Sequence, residues 1–378
     1  MYSSSFFEKK YDIAIIGAGV AGCAAALKAR SFGMKTVLIE KQCTLGGLAT
    51  SGFINIFLPL CDGLGNQVLF GLVEDFLKLS LKYGPFELPP GWGGRSGTKI
   101  TRYTTKFSPA GFALALEKSL IDSGVDIWFD TVFINADKRK NHISTVNVFN
   151  ESGIGKIRAD YYIDASGSAV LWHSLGLKTD NGSNVPASWS LNASLKQAGD
   201  AVKFKEPDFL LNILKLGSKI SEKDNEDIQY SGNTGKDITE FLIKERVSIR
   251  NYYDSLKDSS QFPIALANMP HLRTIRKIIG IDSVTLYDKQ QPNSHYSKIL
   301  PDWRIAGKLW GLPFNAMIDD KMDNLIAAGR IISSESSDAW EVVRSIPSSI
   351  ASGELAGLAA VLAIKKNLAV TQIKDSDF

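Results

Sequence analysis

The sequence predicts an α/β protein built on a buried parallel sheet, and three observations carry that reading. Residues 11–16 form an apolar run that passes straight into Gly17-Ala18-Gly19-Val20-Ala21-Gly22 and an Ala-rich segment ending near Phe32. A second apolar run, residues 36–39, follows at once and ends on Glu40. The composition is 44% hydrophobic and 22% charged, an ordinary globular balance for a chain of 378 residues. Uninterrupted apolar runs of strand length mark strands buried on both faces, and a helix-length segment between two of them marks a βαβ unit. The length predicts two domains.

Each part of the opening unit has a physical task. Gly17 permits the tight strand-to-helix turn, Gly19 permits close approach of a pyrophosphate, and Gly22 lets the helix pack against the strand. The helix start offers free N–H groups and the positive end of its dipole. Gly33 closes the helix. Glu40 stands 18 residues after Gly22 and can accept hydrogen bonds from a ribose diol. These features in order predict a dinucleotide site.

Charge and cysteine usage exclude other classes. With 43 Lys+Arg against 40 Asp+Glu, the net charge of +3 gives no case for nucleic acid as a partner. Cys23, Cys43 and Cys61 form no CxxC pair, which argues against a disulfide scaffold or structural zinc and for a reducing, cytoplasmic setting. The first ten residues lack the apolar core of a leader, and no apolar run reaches about 18 residues, so no membrane span is expected. The four histidines are too scattered for a metal site.

The segment after Glu40 separates the two common dinucleotides. Glu40-Lys41-Gln42-Cys43-Thr44-Leu45-Gly46-Gly47-Leu48-Ala49-Thr50 resembles the second motif of the glutathione-reductase-type FAD-binding proteins, an acid, a short spacer and a Gly pair. Residues 156–167, ending in Ala165-Ser166-Gly167, resemble the strand and Ala-Thr-Gly turn that return to the FAD sheet in that group. Residues 323–330, ending in Gly329-Arg330, resemble its late strand, and Ser352-Gly353 opens a small-residue stretch like the helix that faces the flavin pyrimidine. The string is most similar to the broad FAD-dependent oxidoreductase family with a Leu-Gly-Gly-x-Ala-Thr element. Thr274, Ile331 and Ser168 depart from that family's usual residues.

The resemblance implies a three-layer ββα Rossmann-like FAD-binding domain, parallel sheet plus β-meander, with an inserted α+β substrate domain. It implies a discontinuous FAD domain of residues 1–54, 107–180 and 313–378, and a substrate or cap part of 55–106 and 181–312. It also implies non-covalent FAD held by Gly17, Ala18, Gly19, Val20, Ala21, Gly22, Glu40, Lys41, Gly46, Gly47, Leu48, Ala49, Val132, Ala165, Ser166, Gly167, Gly329, Arg330, Ser352 and Gly353. There is no second GxGxxG, so a built-in nicotinamide domain is not expected; Gly153-Ile154-Gly155 reads as a hairpin turn.

Elsewhere, Ser108-Pro109 caps a helix running to residue 121, residues 68–81 read as a helix, and residues 187–195 alternate as a strand. Residues 207–258 are charge-dense and lean to helix. The Gly/Pro-rich residues 89–97 read equally as a lid or as a connector.

Flavin carries the redox chemistry, so the protein must anchor the substrate and manage a proton. The best cluster is His271-Leu272-Arg273-Thr274-Ile275-Arg276; if helical, it puts Arg273 and Arg276 on one face. Arg binds carboxylate or phosphate bidentately, and His takes protons near neutral pH. The alternative is an inter-domain salt bridge for the arginines and a satisfied hydrogen bond for the histidine. The expectation is an FAD-dependent oxidoreductase moving hydride from a small-molecule substrate, anionic or carbonyl-bearing, to flavin N5, with an external acceptor or O2. Alternatives are a flavin monooxygenase using external NAD(P)H and O2, a structural or sensory flavin, and a plain NAD-linked dehydrogenase.

Overall fold

The computed structural model describes residues 7–88, 92, 104–217, 229–288 and 295–378. The apolar runs form a sheet in the order β5-β2-β1-β8-β7-β6, comprising β1 (Phe7–Ile16), β2 (Thr36–Ile39), β5 (Asp126–Trp128), β6 (Val132–Arg139), β7 (His142–Asn150) and β8 (Gly153–Asp164). The strand β17 (Leu325–Ala327) joins this sheet by pairing in parallel with the end of β8. β5, β2, β1, β8 and β17 run parallel; β6, β7 and β8 form the antiparallel meander. Residues 150–153 turn the hairpin from β7 into β8.

β2, β17 and the apolar end of β1 are buried on both faces, as their composition requires. α1 (Val20–Ser31) lies against α8 (Ile346–Lys366), a helix with 16 of its 21 residues buried. Small residues allow this contact. A Cβ on Gly353 would lie 2.1 Å from the Ala21 carbonyl oxygen, and one on Gly357 2.5 Å from that of Ala25. By length and composition α8 could cross a bilayer, yet it is the core helix of this fold.

α2 (Leu72–Leu81) and α3 (Pro109–Asp122) pack together, and Ser108 Oγ caps α3 by accepting from Gly111 N–H at 3.2 Å. The short pair β3 (Ile56–Phe57) and β4 (Thr105–Lys106) leads into α3. Phe57, Leu60, Val73, Phe76, Ile278, Leu300 and Leu312 all belong to the core of the main sheet. The hydrophobic core therefore continues across the boundaries expected at residues 54 and 312, because α2 needs α3 and α8 to bury its apolar face.

A separate layer is built from β10 (Ser188–Ser194), β11 (Asn212–Leu216) and β12 (Gln261–Leu266), antiparallel in the order β11-β10-β12. It carries α5 (Leu195–Phe204) and α6 (Gly235–Asp254). The expected helical run from residue 207 is thus interrupted: Pro207–Leu210 is a 3-10 turn and residues 212–216 are a strand. A small second core, Tyr230, Phe241, Leu272 and Ile275, joins α6 to the chain that follows β12. Two small sheets complete the fold, β13 (Arg276–Ile278) with β9 (Thr179–Asn181), and β14 (Thr285–Leu286), β16 (Leu309–Leu312) and β15 (Lys298–Pro301) in that order. The remaining helices are α4 (Val170–Ser174) after β8 and α7 (Ser337–Val343) before α8.

Candidate active site

The carboxyl ends of β1, β2, β8 and β17 open on one cleft of about 310 Å³. Open parallel sheets bind ligands at this end. Gly17 adopts φ +98°, and a Cβ there would meet the Ala165 carbonyl oxygen at 2.6 Å. Gly22 sits under the turn, where a Cβ would fall 1.9 Å from the Gly17 oxygen. Gly19 differs: its φ of −63° is open to any residue, and a Cβ would meet nothing within 4 Å. The empty space is the cleft, and Gly19 lines it with Gly17, Val20 and Ala21 at the N-terminus of α1.

Glu40 lies at the end of β2, only 8% exposed. One carboxyl oxygen accepts from Ala18 N–H at 2.7 Å and the other from Gln42 N–H at 3.0 Å. Burial pushes its pKa up, and these backbone donors act against that shift. Lys41, Val132, Thr131 and Phe133 form the wall beside it. Gly46 N–H donates to Ala18 O at 2.8 Å, which holds Gly46, Gly47, Leu48 and Ala49 against the glycine turn.

Ala165, Ser166 and Gly167 form the opposite wall with Gly329 and Arg330. Asp164, fully buried, accepts from Ser166 N–H at 3.1 Å, Ser166 Oγ at 2.6 Å and Trp172 N–H at 3.0 Å, fixing the turn. Ser352 and Gly353 do not line the cleft. Ser352 Oγ accepts from Gly329 N–H at 2.9 Å, and Gly353 packs on Ala21. α8 starts earlier than the small residues suggest, at the Ser345 cap, and brings Ile346 and Ser349 to the cleft. Ala18 and Gly22 likewise support the turn from behind.

Arg330 is a partly buried cation in this wall. It donates to Gly167 O at 2.7 Å and Leu272 O at 2.5 Å, and has no carboxylate partner among the described residues. Burial lowers its pKa to about 10, so it stays charged at neutral pH. Arg344, held by Glu341, also lines the cleft.

Residues 268–275 form an irregular strap with bends at 268–269 and 275 rather than a helix. Backbone capture explains this. Asn268 N–H donates to Ser51 O at 2.9 Å, and the Asn184 side chain accepts from Arg273 N–H at 2.7 Å and Thr274 N–H at 2.9 Å. Met269 on this strap lines the cleft. His271 is 2% exposed, with Nε2 bonded to Gly52 O. Burial, then the positive charges of Arg273 and Lys215, push its pKa down to about 4. The ring is therefore neutral, with Nε2 as donor and Nδ1 unpaired. Arg276 does not line the cleft; it donates to Ser168 O at 3.3 Å and Asn233 O at 3.2 Å. Only Arg273 of the three keeps its side chain free of hydrogen bonds, lying 5.9 Å from the Trp189 ring.

The other sequence candidates lie elsewhere. His142 meets Asn324, His173 is exposed on α4, and His295 stacks edge-on with Tyr296. Cys23 and Cys61 are buried thiols and Cys43 is exposed; none is paired in a disulfide. Among the described residues no His/Cys/Asp/Glu group could hold a metal. The expected lid, residues 89–97, lies outside the described residues except for Trp92. Met269, Arg344, Ile346 and Ser349 were not among the sequence candidates.

Comparison with known proteins follows this geometry. Residues 12–187 and 191–378 match the FAD dependent oxidoreductase family. A digeranylgeranylglycerophospholipid reductase of Picrophilus torridus is 31% identical over 173 residues, 42% of this chain and 40% of that protein. A thioredoxin reductase of Ureaplasma parvum serovar 3 is 32% identical over 74 residues, 20% of this chain and 24% of that one. The chain thus aligns with less than half the length of these curated relatives. Among solved structures, p-nitrophenol 4-monooxygenase from Pseudomonas putida DLL-E4 superposes with a TM-score of 0.52 at 12% identity, covering 97% of this chain and 82% of that one. The rebeccamycin biosynthetic enzyme RebC also gives 0.52, at 10% identity over 94% and 62%. These likenesses establish the fold. The matched family covers almost the whole chain, and the protein belongs to the FAD-dependent oxidoreductase family, as an enzyme with FAD as its cofactor.

Proposed function

We propose that this enzyme oxidises a small organic substrate, with hydride passing from a substrate C–H (or C–N) bond to the FAD and an external acceptor or O2 restoring the oxidised cofactor. The observation that carries this reading is the pair of positive elements at one end of the cleft. Arg330 stands there partly buried and without an acid among the described residues, and the N-terminus of α8 arrives at Ile346 and Ser349. Both favour negative charge, which a flavin gains when it takes up a hydride.

FAD supplies the two-electron chemistry; the chain supplies position and environment. Gly19 and the N–H groups at the start of α1 would take the pyrophosphate, in the space a side chain would otherwise fill. Glu40 would take the ribose hydroxyls. Gly46 to Ala49, Ala165 to Gly167, and Gly329 would flank the flavin end. This arrangement supports the glutathione-reductase-type reading, with residues 181–275 shaping the substrate side. Met269 and the strap exclude water from the cleft. His271 orders the strap and, with its ring neutral, is a positioning residue.

The test is an anaerobic absorbance spectrum before and after NADH and then NADPH. Flavin that stays oxidised with both nucleotides and bleaches with an organic substrate supports the proposal. Rapid bleaching by either nucleotide, followed by O2 consumption with substrate hydroxylation, refutes it.

A further inference from the structure

Four cations run in file from the surface to the cleft. Lys106 on β4 and Lys215 on β11 are exposed, Arg273 on the strap is partly buried, and Arg344 is in the cleft wall. They come from four separate segments, so no single motif accounts for their convergence. Neighbours in the file feel one another's charge: Lys106 and Arg273 act on Lys215, and Arg344 and, in the opposite sense, Glu341 act on Arg273. Among the described residues, Lys106, Lys215 and Arg273 have no ion pair, while Arg344 has Glu341.

The residues between them hold polar atoms without partners. Lys215 Nζ stands 4.3 Å and Arg273 Cζ 5.9 Å from the Trp189 ring, and the His271 ring is 4.8 Å from the same indole. Trp189 is 7% exposed and His271 2% exposed. Trp189 Nε1 and Arg273 Nε are buried donors with no hydrogen-bond partner; His271 Nδ1, an acceptor in this tautomer, is not part of that set. Buried donors are satisfied in native proteins, and each exception calls for a missing partner. Surfaces lined by one sign of charge raise the local concentration of the opposite charge. An oxyanion answers both needs, since it accepts from Arg273 Nε and Trp189 Nε1 and neutralises the file.

We propose that Lys215, Arg273 and the Trp189 indole form a subsite for the oxyanion of the substrate, a carboxylate or phosphate carried on a small planar group. This rests on the substrate-oxidation reading above. Lys106 and Lys215 attract the anion from solvent, Arg273 and Trp189 Nε1 hold it, and the planar group lies along the indole toward the cleft. Arg276, the other arginine of the strap, has no part in it, because its guanidinium is committed to two backbone carbonyls.

The test uses the flavin-loaded protein and three probes, benzoate, phenyl phosphate and benzyl alcohol, with binding read by calorimetry and by the shift in flavin absorbance. Benzoate or phenyl phosphate should bind saturably, more weakly as salt rises, and benzyl alcohol should not. The Arg273→Met variant should weaken the anion by about 10- to 100-fold, as expected for hydrogen bonds to a charged group. Lys215→Met, an exposed position, should weaken it by several-fold and decides the matter if Arg273→Met loses its flavin. Lys118→Met, on the surface of α3, should change nothing. Equal binding of benzyl alcohol and benzoate, or unchanged anion affinity in flavin-loaded Lys215→Met, overturns the subsite. A flavin that bleaches under anaerobic photoreduction in those same samples shows that the oxidoreductase reading stands even when the subsite falls; a flavin that cannot be reduced overturns that reading instead. Preference between benzoate and phenyl phosphate assigns the oxyanion.

Discussion

Replacing Gly19 or Gly22 with Ala separates cofactor binding from folding within one motif. At Gly22 the new Cβ would lie 1.9 Å from the Gly17 oxygen and 3.3 Å from the Ala165 Cβ. Both are parts of a rigid turn, so α1 must move away from the sheet. Overpacking of this kind costs about 1–3 kcal/mol. At Gly19 the Cβ meets no protein atom within 4 Å. Ala is a poorer helix N-cap than Gly by about 0.5–1 kcal/mol, while the less flexible unfolded chain returns about 0.4–1 kcal/mol. The net effect on the fold is close to zero, and the methyl group occupies the space where the pyrophosphate approaches. Urea unfolding of flavin-stripped samples, followed by far-ultraviolet circular dichroism, reads the fold; flavin retention after gel filtration reads the cofactor. Gly19→Ala should unfold with the parent and lose FAD. Gly22→Ala should unfold at clearly lower urea. A Gly19→Ala protein that keeps FAD as tightly as the parent would refute the pyrophosphate assignment, and a Gly22→Ala protein of parental stability would refute the packing argument.

Three further outcomes are expected. Glu245, 6% exposed on α6, has its pKa raised to about 8, mainly by burial. Folding therefore takes up a proton that the unfolded chain gives away, so stability is greatest below the ordinary carboxyl pKa and falls by about 4 kcal/mol as pH rises to 8; Glu245→Gln should abolish that fall in denaturation curves. His271 acts in the opposite sense: its lowered pKa of about 4 makes stability fall as pH drops below about 6.5, and His271→Asn should flatten the acid limb of the same curves. Glu40→Gln should weaken FAD about 10-fold in equilibrium dialysis by removing charge from the hydrogen bonds to the ribose, whereas unchanged affinity would place the ribose elsewhere.

Contiguous motifs were legible in the sequence. The glycine turn, Glu40, Gly46-Gly47, Ala165-Ser166-Gly167 and Gly329-Arg330 each sit where one strand ends, and strand, turn and helix are local patterns. They converge on one cleft because parallel strands present their carboxyl ends together. What depends on tertiary packing was not legible. Met269 reaches the cleft because backbone hydrogen bonds to Ser51 and Asn184 hold its strap in place. The strap's non-helical form had a local hint in Pro270, since a proline disfavours helical backbone before it. The start of α8 also had a signal, Ser345 followed by Pro347, the N-cap and first-turn proline pattern. The run of Ser, Gly and Ala around residue 352 drew attention to the point where α8 packs on α1, a small-residue contact that resembles a cofactor contact in sequence. Trp189, Lys106 and Lys215 carry no motif, and only the sheet β11-β10-β12 brings two of them beside Arg273.

The central claim is that the cleft at the ends of β1, β2, β8 and β17 holds a redox-active FAD. The most direct measurement is the visible spectrum of the purified protein, with the released cofactor identified by chromatography and the bound form photoreduced without oxygen. The account predicts a yellow protein with stoichiometric, non-covalent FAD that bleaches fully and recovers on readmission of an acceptor. A colourless protein that also fails to take up added FAD would contradict it.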